Sequence, residues 1–496
     1  MSNNLMHSAK LNAVTSYLNF AIISLLVFFI SPYLISYLGS YYYGVWKSIQ
    51  KILTFATVAD GKATQALKWV IANDEVNTNI ARKQKAVGSS LKVWVYFLPI
   101  LIIVIALLVW NLPNLINGLK PSLVSSVYQV GLILGVNMLI NPLFAIPDAI
   151  LIGANKGYKS TSIQVVGATI SNILMVWFSY LGYGIQGLAF AILLVTFFNG
   201  VFIFYICKKN ISWFGIKKPS KEELKEFFGF SFWVFIWSFV QKIILSTEIV
   251  ILGFLFNPEN VTNYVFTAFI VQLAVSVSLI TGSAITPGLG KVIGAKNFIL
   301  ANSIAQSLRD IIIFLAAFFG GVMLLLNKNF VSLWIGESFF LGANTNFLIT
   351  LIMVHLIMIR IEAQIQDLTL KIKKKVIHGA FFAVLTVFLA FVGYKIFNHP
   401  IEGVFVGVLL GRFLHLLAFK NLVNKMLQLK KDKKIFVLYV YLIILFFISK
   451  VMPYSDSWGL FILIALTTSL VLITICYFLF LSKESKLNLL KIIKKE

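Results

Sequence analysis

The sequence has little charge of negative sign and few residues that do catalytic work. Only 12% of its 496 residues are charged, and 18 acidic residues stand against 42 lysines and arginines. Two cysteines, Cys207 and Cys476, both at the ends of apolar runs, exclude a disulfide framework and a thiolate metal site. Five histidines are scattered singly. No paired carboxylates, metal-ligand spacing, phosphate-binding glycine loop or nucleophile elbow is present, so no enzyme activity, metal or cofactor is expected. Apolar residues are abundant: 59% of the chain is hydrophobic and its mean hydropathy is +0.90. A soluble domain does not need that much apolar surface. The chain reads as an all-α polytopic membrane protein.

Apolar runs long enough for the roughly 20 residues of a membrane-spanning helix recur along the whole sequence. They fall at 11–38, 42–72, 90–111, 122–152, 160–181, 184–207, 229–255, 261–288, 309–327, 342–368, 376–396, 401–424, 435–451 and 457–481. About 14 transmembrane helices are therefore expected. The continuous runs exclude a β-barrel, whose strands alternate and are about half as long. The polar start leads into 11–38 without a cleavage signal, so that run is expected to be an uncleaved first span.

The net charge of +24 is explained by where the lysines fall. With the N-terminus inside, the inner loops hold Arg82, Lys83 and Lys85, then Lys156 and Lys159, then six lysines from Lys208 to Lys225. Later ones hold Lys291 and Lys296, Lys371 to Lys375, Lys430 to Lys434, and the lysines of the C-terminal tail. The outer side has only Lys120, Lys328, Lys395 and Lys450. This is the positive-inside pattern with both termini cytoplasmic, and no nucleic-acid partner is needed to account for it.

The expected organisation is an N-terminal lobe over 1–207, a cytoplasmic amphipathic linker over 208–228 and a C-terminal lobe over 229–425. Two additional spans follow over 426–482, then a basic amphipathic tail over 483–496. In the linker, Ser220 and Glu223 have capping-box spacing after Pro219, so a helix is expected to start there and lie on the inner surface. The tail alternates lysine with leucine and isoleucine, and both segments are suited to anionic lipid headgroups. Sliding the chain by 221 residues sets Tyr43 on Tyr264, Gly61 on Gly282 and Asp60 on Thr281, a weak internal repeat.

The candidate site lies in the second span. Ionisable residues at membrane depth usually face a cavity or a substrate path. On a continuous helix Lys51 is one turn from Lys47, and Lys62 about three turns further, with Thr54 and Gln65 near the same line. That makes a cationic stripe, with Lys47 and Lys68 able to snorkel to the interfaces. A second polar stripe in span seven centres on Lys242, flanked by Ser238 and Ser246; its alternative role is a salt bridge with Glu248. Asp60 is expected to pair with a neighbouring lysine or to carry a coupling proton. Arg360, Glu362 and Asp367 read as an interfacial ion-pair group with Lys371; His355, Arg412 and His415 either line the second lobe or, as lone intramembrane histidines more often do, pack within it.

Several of these segments resemble the bacterial polysaccharide and O-antigen flippases, within the superfamily that includes multidrug exporters. The carriers are Tyr43-Gly44-Val45-Trp46, the break Asp60-Gly61-Lys62-Ala63, the run Glu248 to Gly253, Tyr264, and GLGKVIGAKN from Gly288 to Asn297. The sequence departs from that family's pattern at Glu248, where aspartate is commoner, and at Thr262, where glycine is usual. The resemblance implies two pseudo-symmetric six-helix lobes around a central cavity, plus two C-terminal helices, in the bacterial cytoplasmic (inner) membrane. It also implies alternating access for an undecaprenyl-diphosphate-linked oligosaccharide, with other polysaccharide-assembly membrane proteins as partners. On that reading Lys47, Lys51, Lys62 and Lys242 bind the diphosphate, and Asp60 and Glu248 serve as ion-pair or coupling residues. A peptidoglycan-precursor flippase and a small-molecule exporter of the same superfamily remain open. A membrane polymerase or ligase would need a catalytic constellation, usually on a sizeable outer loop, and the outer loops are short.

Overall fold

The computed structural model describes residues 2–73, 79–368, 372–429 and 433–486. Among them the regular structure is helical throughout. The chain forms two compact units, Met1–Thr262 and Asn263–Glu496.

The first unit opens with α1, Ser2–Leu53, whose 52 residues bend at Gly39. Gly39 has φ +78 and nothing within 4 Å of where a Cβ would stand, so conformation rather than space demands glycine there. The bend makes α1 two successive spans. A 3₁₀ turn, Thr54–Val58, leads through a left-handed turn into α2, Ala63–Asn73. Next come α3 (Ile80–Leu115), α4 (Val124–Gly153), α5 (Gly157–Tyr180), α6 (Gly184–Asn210) and α7 (Lys221–Leu255). Helix α4 packs on α2, α3 and α6, α5 lies between α1 and α6, and α7 lies against α1, α2, α3 and the 3₁₀ turn. At one end of this unit the Tyr41 hydroxyl donates to Gly118 O at 2.9 Å and accepts from Lys120 N at 2.8 Å. Asn117 N donates to Gly253 O at 2.8 Å in the same place, so this loop ties α1 to α7.

The division between the units falls inside α8, Pro258–Thr267. The second unit continues with α9 (Phe269–Gly294), α10 (Phe298–Trp334), α11 (Ala343–Asp367), α12 (Ile372–Ile396), α13 (Pro400–Leu427), α14 (Lys434–Ser449) and α15 (Trp458–Phe480). Helix α10 packs on α9, α11, α14 and α15. Helices α12 and α13 meet through glycines: a Cβ on Gly407 would lie 2.1 Å from Leu389 O, and one on Gly403 2.3 Å from Gly393 O. Lipid tails are as apolar as leucine, so membrane helices associate by close packing, and small residues permit it.

Among the described residues eleven helices are long and apolar enough to cross a membrane, and the α8–α9 pair, bent by 50°, makes a twelfth. The bend in α1 and the 16-residue apolar helix α14 account for the two further expected spans. Three local expectations change. The helix capped at Ser220 does not end at a surface; α7 runs on unbroken to Leu255. Helix α10 begins at Phe298, eleven residues before the apolar run that marked it, so Arg309 and Asp310 lie three turns inside. The 221-residue offset pairs Gly61, in a left-handed turn, with Gly282, inside the continuous α9, so the two breaks are out of register. The residues 487–496 of the expected basic tail, with Lys371, Lys430 and Lys431, lie outside the described residues.

Candidate functional site

The second span does not continue as one helix. Asp60-Gly61-Lys62 forms a turn with φ +71 at Gly61 and +51 at Lys62. A Cβ on Gly61 would also lie 2.6 Å from the Phe97 ring. The Asp60 carboxylate closes the turn by accepting from Lys62 N at 2.8 Å, a local side-chain bond of the kind aspartate makes where a helix stops. The same carboxylate pairs with Lys62 Nζ at 3.2 Å, and Nζ also donates to Thr57 O. The helical line drawn from Lys51 through Thr54 to Lys62 and Gln65 is therefore broken at the turn. Lys62 reaches its position through the turn and not through helical register.

Above the turn, Lys47 lies 5.0 Å from the centre of the Tyr43 ring. Lys51, one turn on, is half-buried and within electrostatic range of Lys47 and Glu248. From α7, Lys242 is within range of Lys51, Lys62 and Asp60. Lys51 is ten residues from Tyr41, which bonds the 118–120 loop, or about 15 Å along its helix, half of the roughly 30 Å of a hydrocarbon core. On α7, Glu248 and Lys242 are seven and thirteen residues from Leu255, about 10 and 20 Å, and so lie on either side of Lys51 in depth. Four ammonium groups thus meet two carboxylates. Among the described residues Lys47, Lys51 and Lys242 make no salt bridge, while Lys62 is held by Asp60. The alternative of a Lys242–Glu248 salt bridge is not what forms; Lys51 is the lysine within range of Glu248.

Lys68 is not at an interface with its ammonium in water. It reaches Asp148 of α4 at 3.6 Å, and Asp148 is 9% exposed. Asp148 Oδ1 has no hydrogen-bond partner among the described residues.

In the second unit Glu362, Asp310 and Asp367 are each held by partners within the unit. Glu362 accepts from Arg309 at 2.8 Å in a buried pair, and Arg309 also donates to Asn424 at 2.7 Å. Sequence reading placed Glu362 at an interface and missed Arg309, whose signal was an Arg-Asp pair at the edge of an apolar run. Asp310 is fully buried and accepts from Ser485 Oγ at 2.9 Å and Ser482 N at 3.3 Å, which fastens the chain after α15 to α10. Asp367 pairs with Lys375. His355 shares a 2.6 Å hydrogen bond with Tyr439, and His415 packs between Phe382 and Phe419; Arg412 is buried beside them. Among the described residues no three His, Cys, Asp or Glu side chains gather as metal ligands would.

Unbalanced cations at membrane depth are costly unless an anion or water meets them. Lysine offers three donors and a point charge, which suits phosphate oxygens. The first unit therefore holds a cationic cluster that is able to hold a polyanion.

No curated protein sequence matches the chain. Among solved structures, the lipid II flippase MurJ in an inward closed conformation superposes with a TM-score of 0.68 at 15% identity, covering 94% of this chain and 98% of that one. An inward-facing multidrug-resistance MATE transporter of the MOP superfamily gives 0.59 at 16% identity, over 83% and 94%. A MOP-superfamily transporter from Pyrococcus furiosus, described by a reversed polarity of its binding pocket, gives 0.54 at 17%, over 86% and 94%. At these identities the likeness is one of fold. The sequence profile of the family described as polysaccharide biosynthesis protein matches residues 66–340, more than half of the chain. The chain therefore belongs to the polysaccharide biosynthesis protein family, built on the fold shared by MurJ and the MATE transporters.

Proposed function

We propose that this protein flips undecaprenyl-diphosphate-linked oligosaccharide units across the bacterial cytoplasmic membrane by alternating access, for assembly of a surface polysaccharide such as O-antigen or capsule. The observation that carries the reading is the cluster of Lys47, Lys51 and Lys242, three lysines inside membrane-spanning helices that have no carboxylate in contact among the described residues. A diphosphate supplies the missing negative charge. Lys62 already has Asp60 and serves as the fourth cation once the diphosphate competes for it. Family membership and the MurJ-like fold support transport of a lipid-linked substrate, and the protein moves it without altering its bonds. Both termini and the lysine-rich loops face the cytoplasm, where anionic headgroups and other polysaccharide-assembly membrane proteins are the expected partners.

The second reading, a peptidoglycan-precursor flippase, is favoured by the extent of the superposition on MurJ. It uses the same diphosphate chemistry on a different glycan. Export of a small cationic drug is disfavoured, because the cluster would repel it. The test is a strain lacking the protein: surface polysaccharide should be lost while lipid-linked repeat units accumulate inside and the cell wall stays intact. Wall loss and lysis with normal surface polysaccharide would select the second reading.

A further inference from the structure

Two phenylalanines stand beside the lysine cluster without a part in its electrostatics. Phe55 lies in the 3₁₀ turn four residues after Lys51, and Phe239 lies on α7 one turn before Lys242. Their rings meet edge to face, 6.4 Å apart at 67°. Phe239 is 46% exposed. A lone exposed phenylalanine in a membrane protein signifies nothing, since lipid covers it. This one shares a helix face with Lys242, three residues on, and that lysine is half-buried among charged groups. The exposed ring therefore belongs to the face that carries the cations.

The geometry points to Phe55 and Phe239 as the subsite for the first isoprene unit of the substrate, the five-carbon group esterified to the diphosphate. This rests on the reading of the lysine cluster as a diphosphate site. A polyprenyl diphosphate joins a methyl-branched apolar chain directly to an anionic head, so its recognition requires cations and apolar surface side by side. A sugar ring would ask for hydrogen-bonding groups as well. Phenylalanine has none, and the hydroxyl of Thr54, next to Phe55, donates to Gln50 O at 2.7 Å. The aromatic pair thus distinguishes polyprenyl diphosphates from nucleoside diphosphate sugars, which present the same two phosphates to the lysines but no isoprene.

The experiment uses the purified full chain and two soluble probes of equal charge, methyl diphosphate and dimethylallyl diphosphate, the second carrying one isoprene unit. Calorimetric titration should show dimethylallyl diphosphate bound about 10-fold more tightly, as partial burial of its four additional carbons predicts. Phe239→Ala and Phe55→Ala should reduce that ratio to about 2 or less while leaving methyl diphosphate affinity unchanged. Phe239→Leu, which keeps apolar bulk, should retain most of the preference and guards against misfolding of the alanine variants. If both probes bind wild type equally, or the ratio survives loss of both rings, the aromatic subsite is overturned and the lysine site stands. If the wild type binds neither probe, the diphosphate reading itself fails. Tight binding of UDP-glucose that is lost in Phe239→Ala would assign the rings to a sugar or base and would also overturn the inference.

Discussion

Lys51 and Lys68 sit on neighbouring stretches of chain and meet opposite surroundings. Lys68 has Asp148 at 3.6 Å, and the pair is largely closed to solvent. Removing one member of a buried pair strands the other charge and costs on the order of 3–5 kcal/mol. Lys68→Ala should therefore lower the thermal unfolding temperature in detergent, and Lys68→Met with Asp148→Leu should recover much of the loss. Lys51 has no such partner, so its truncation should spare the fold. Lys51→Ala should leave membrane abundance near wild type and reduce surface glycan export at least 10-fold, the effect of losing one charge-assisted phosphate contact. Lys51→Arg should retain more activity, since it keeps the charge at the cost of changed geometry. Lys62 combines both behaviours because it also holds Asp60. Export normalised to protein abundance separates the cases, and equal losses of abundance in Lys51→Ala and Lys68→Ala would contradict the distinction.

At the scale of elements, close approach and capping set the shape of the fold. Gly407 lies against the Leu389 carbonyl, so Gly407→Val should drive α12 and α13 apart and lower the unfolding temperature markedly, while Gly459→Val, with open space around it, should not. The start of α7 should respond to pH. The backbone N–H of Ser220, and then Lys85 at 3.0 Å, hold the Glu223 carboxyl below its ordinary value. A depressed carboxyl stabilises above its ordinary range and loses that contribution as pH falls through its lowered value. Amide protection over 221–225 should stay level down to about pH 5 and fall below it, and Glu223→Gln should remove the dependence. The elements themselves were largely legible in the sequence, since each apolar run corresponds to a helix, to part of one, or, at 42–72 and 261–288, to two helices joined at a break. Less was legible where a polar group inside a helix finds its partner elsewhere: Arg309 and Asp310 marked a helix end in the sequence, but Glu362, Asn424 and Ser485 satisfy them in its interior. The site was legible as a set of residue types. Its register was not, because Asp60-Gly61-Lys62 turns the chain through left-handed angles that 3.6-residue periodicity does not contain. Lys242 joined the cluster through packing of α7 on the 3₁₀ turn, which no local pattern encodes.

At the scale of the whole molecule, the lysine asymmetry predicts the orientation. Reporter fusions after Lys225, Lys375 and Lys434 should signal cytoplasm, and those after Lys120, Lys328 and Lys450 the opposite side. A single cytoplasmic signal among the second three would contradict the arrangement. The cationic cluster of the first unit is proposed to carry a lipid diphosphate through the membrane. The most direct test is reconstitution of the purified protein into vesicles holding undecaprenyl-diphosphate-linked glycan on one leaflet, with accessibility of the glycan on the other leaflet followed in time. The wild type should move the glycan chemically unchanged, and a well-folded Lys51→Ala, Lys242→Ala double variant should fall to the rate of protein-free vesicles. Wild-type rates in that double variant, or a new glycosidic product from the wild type, would contradict the account.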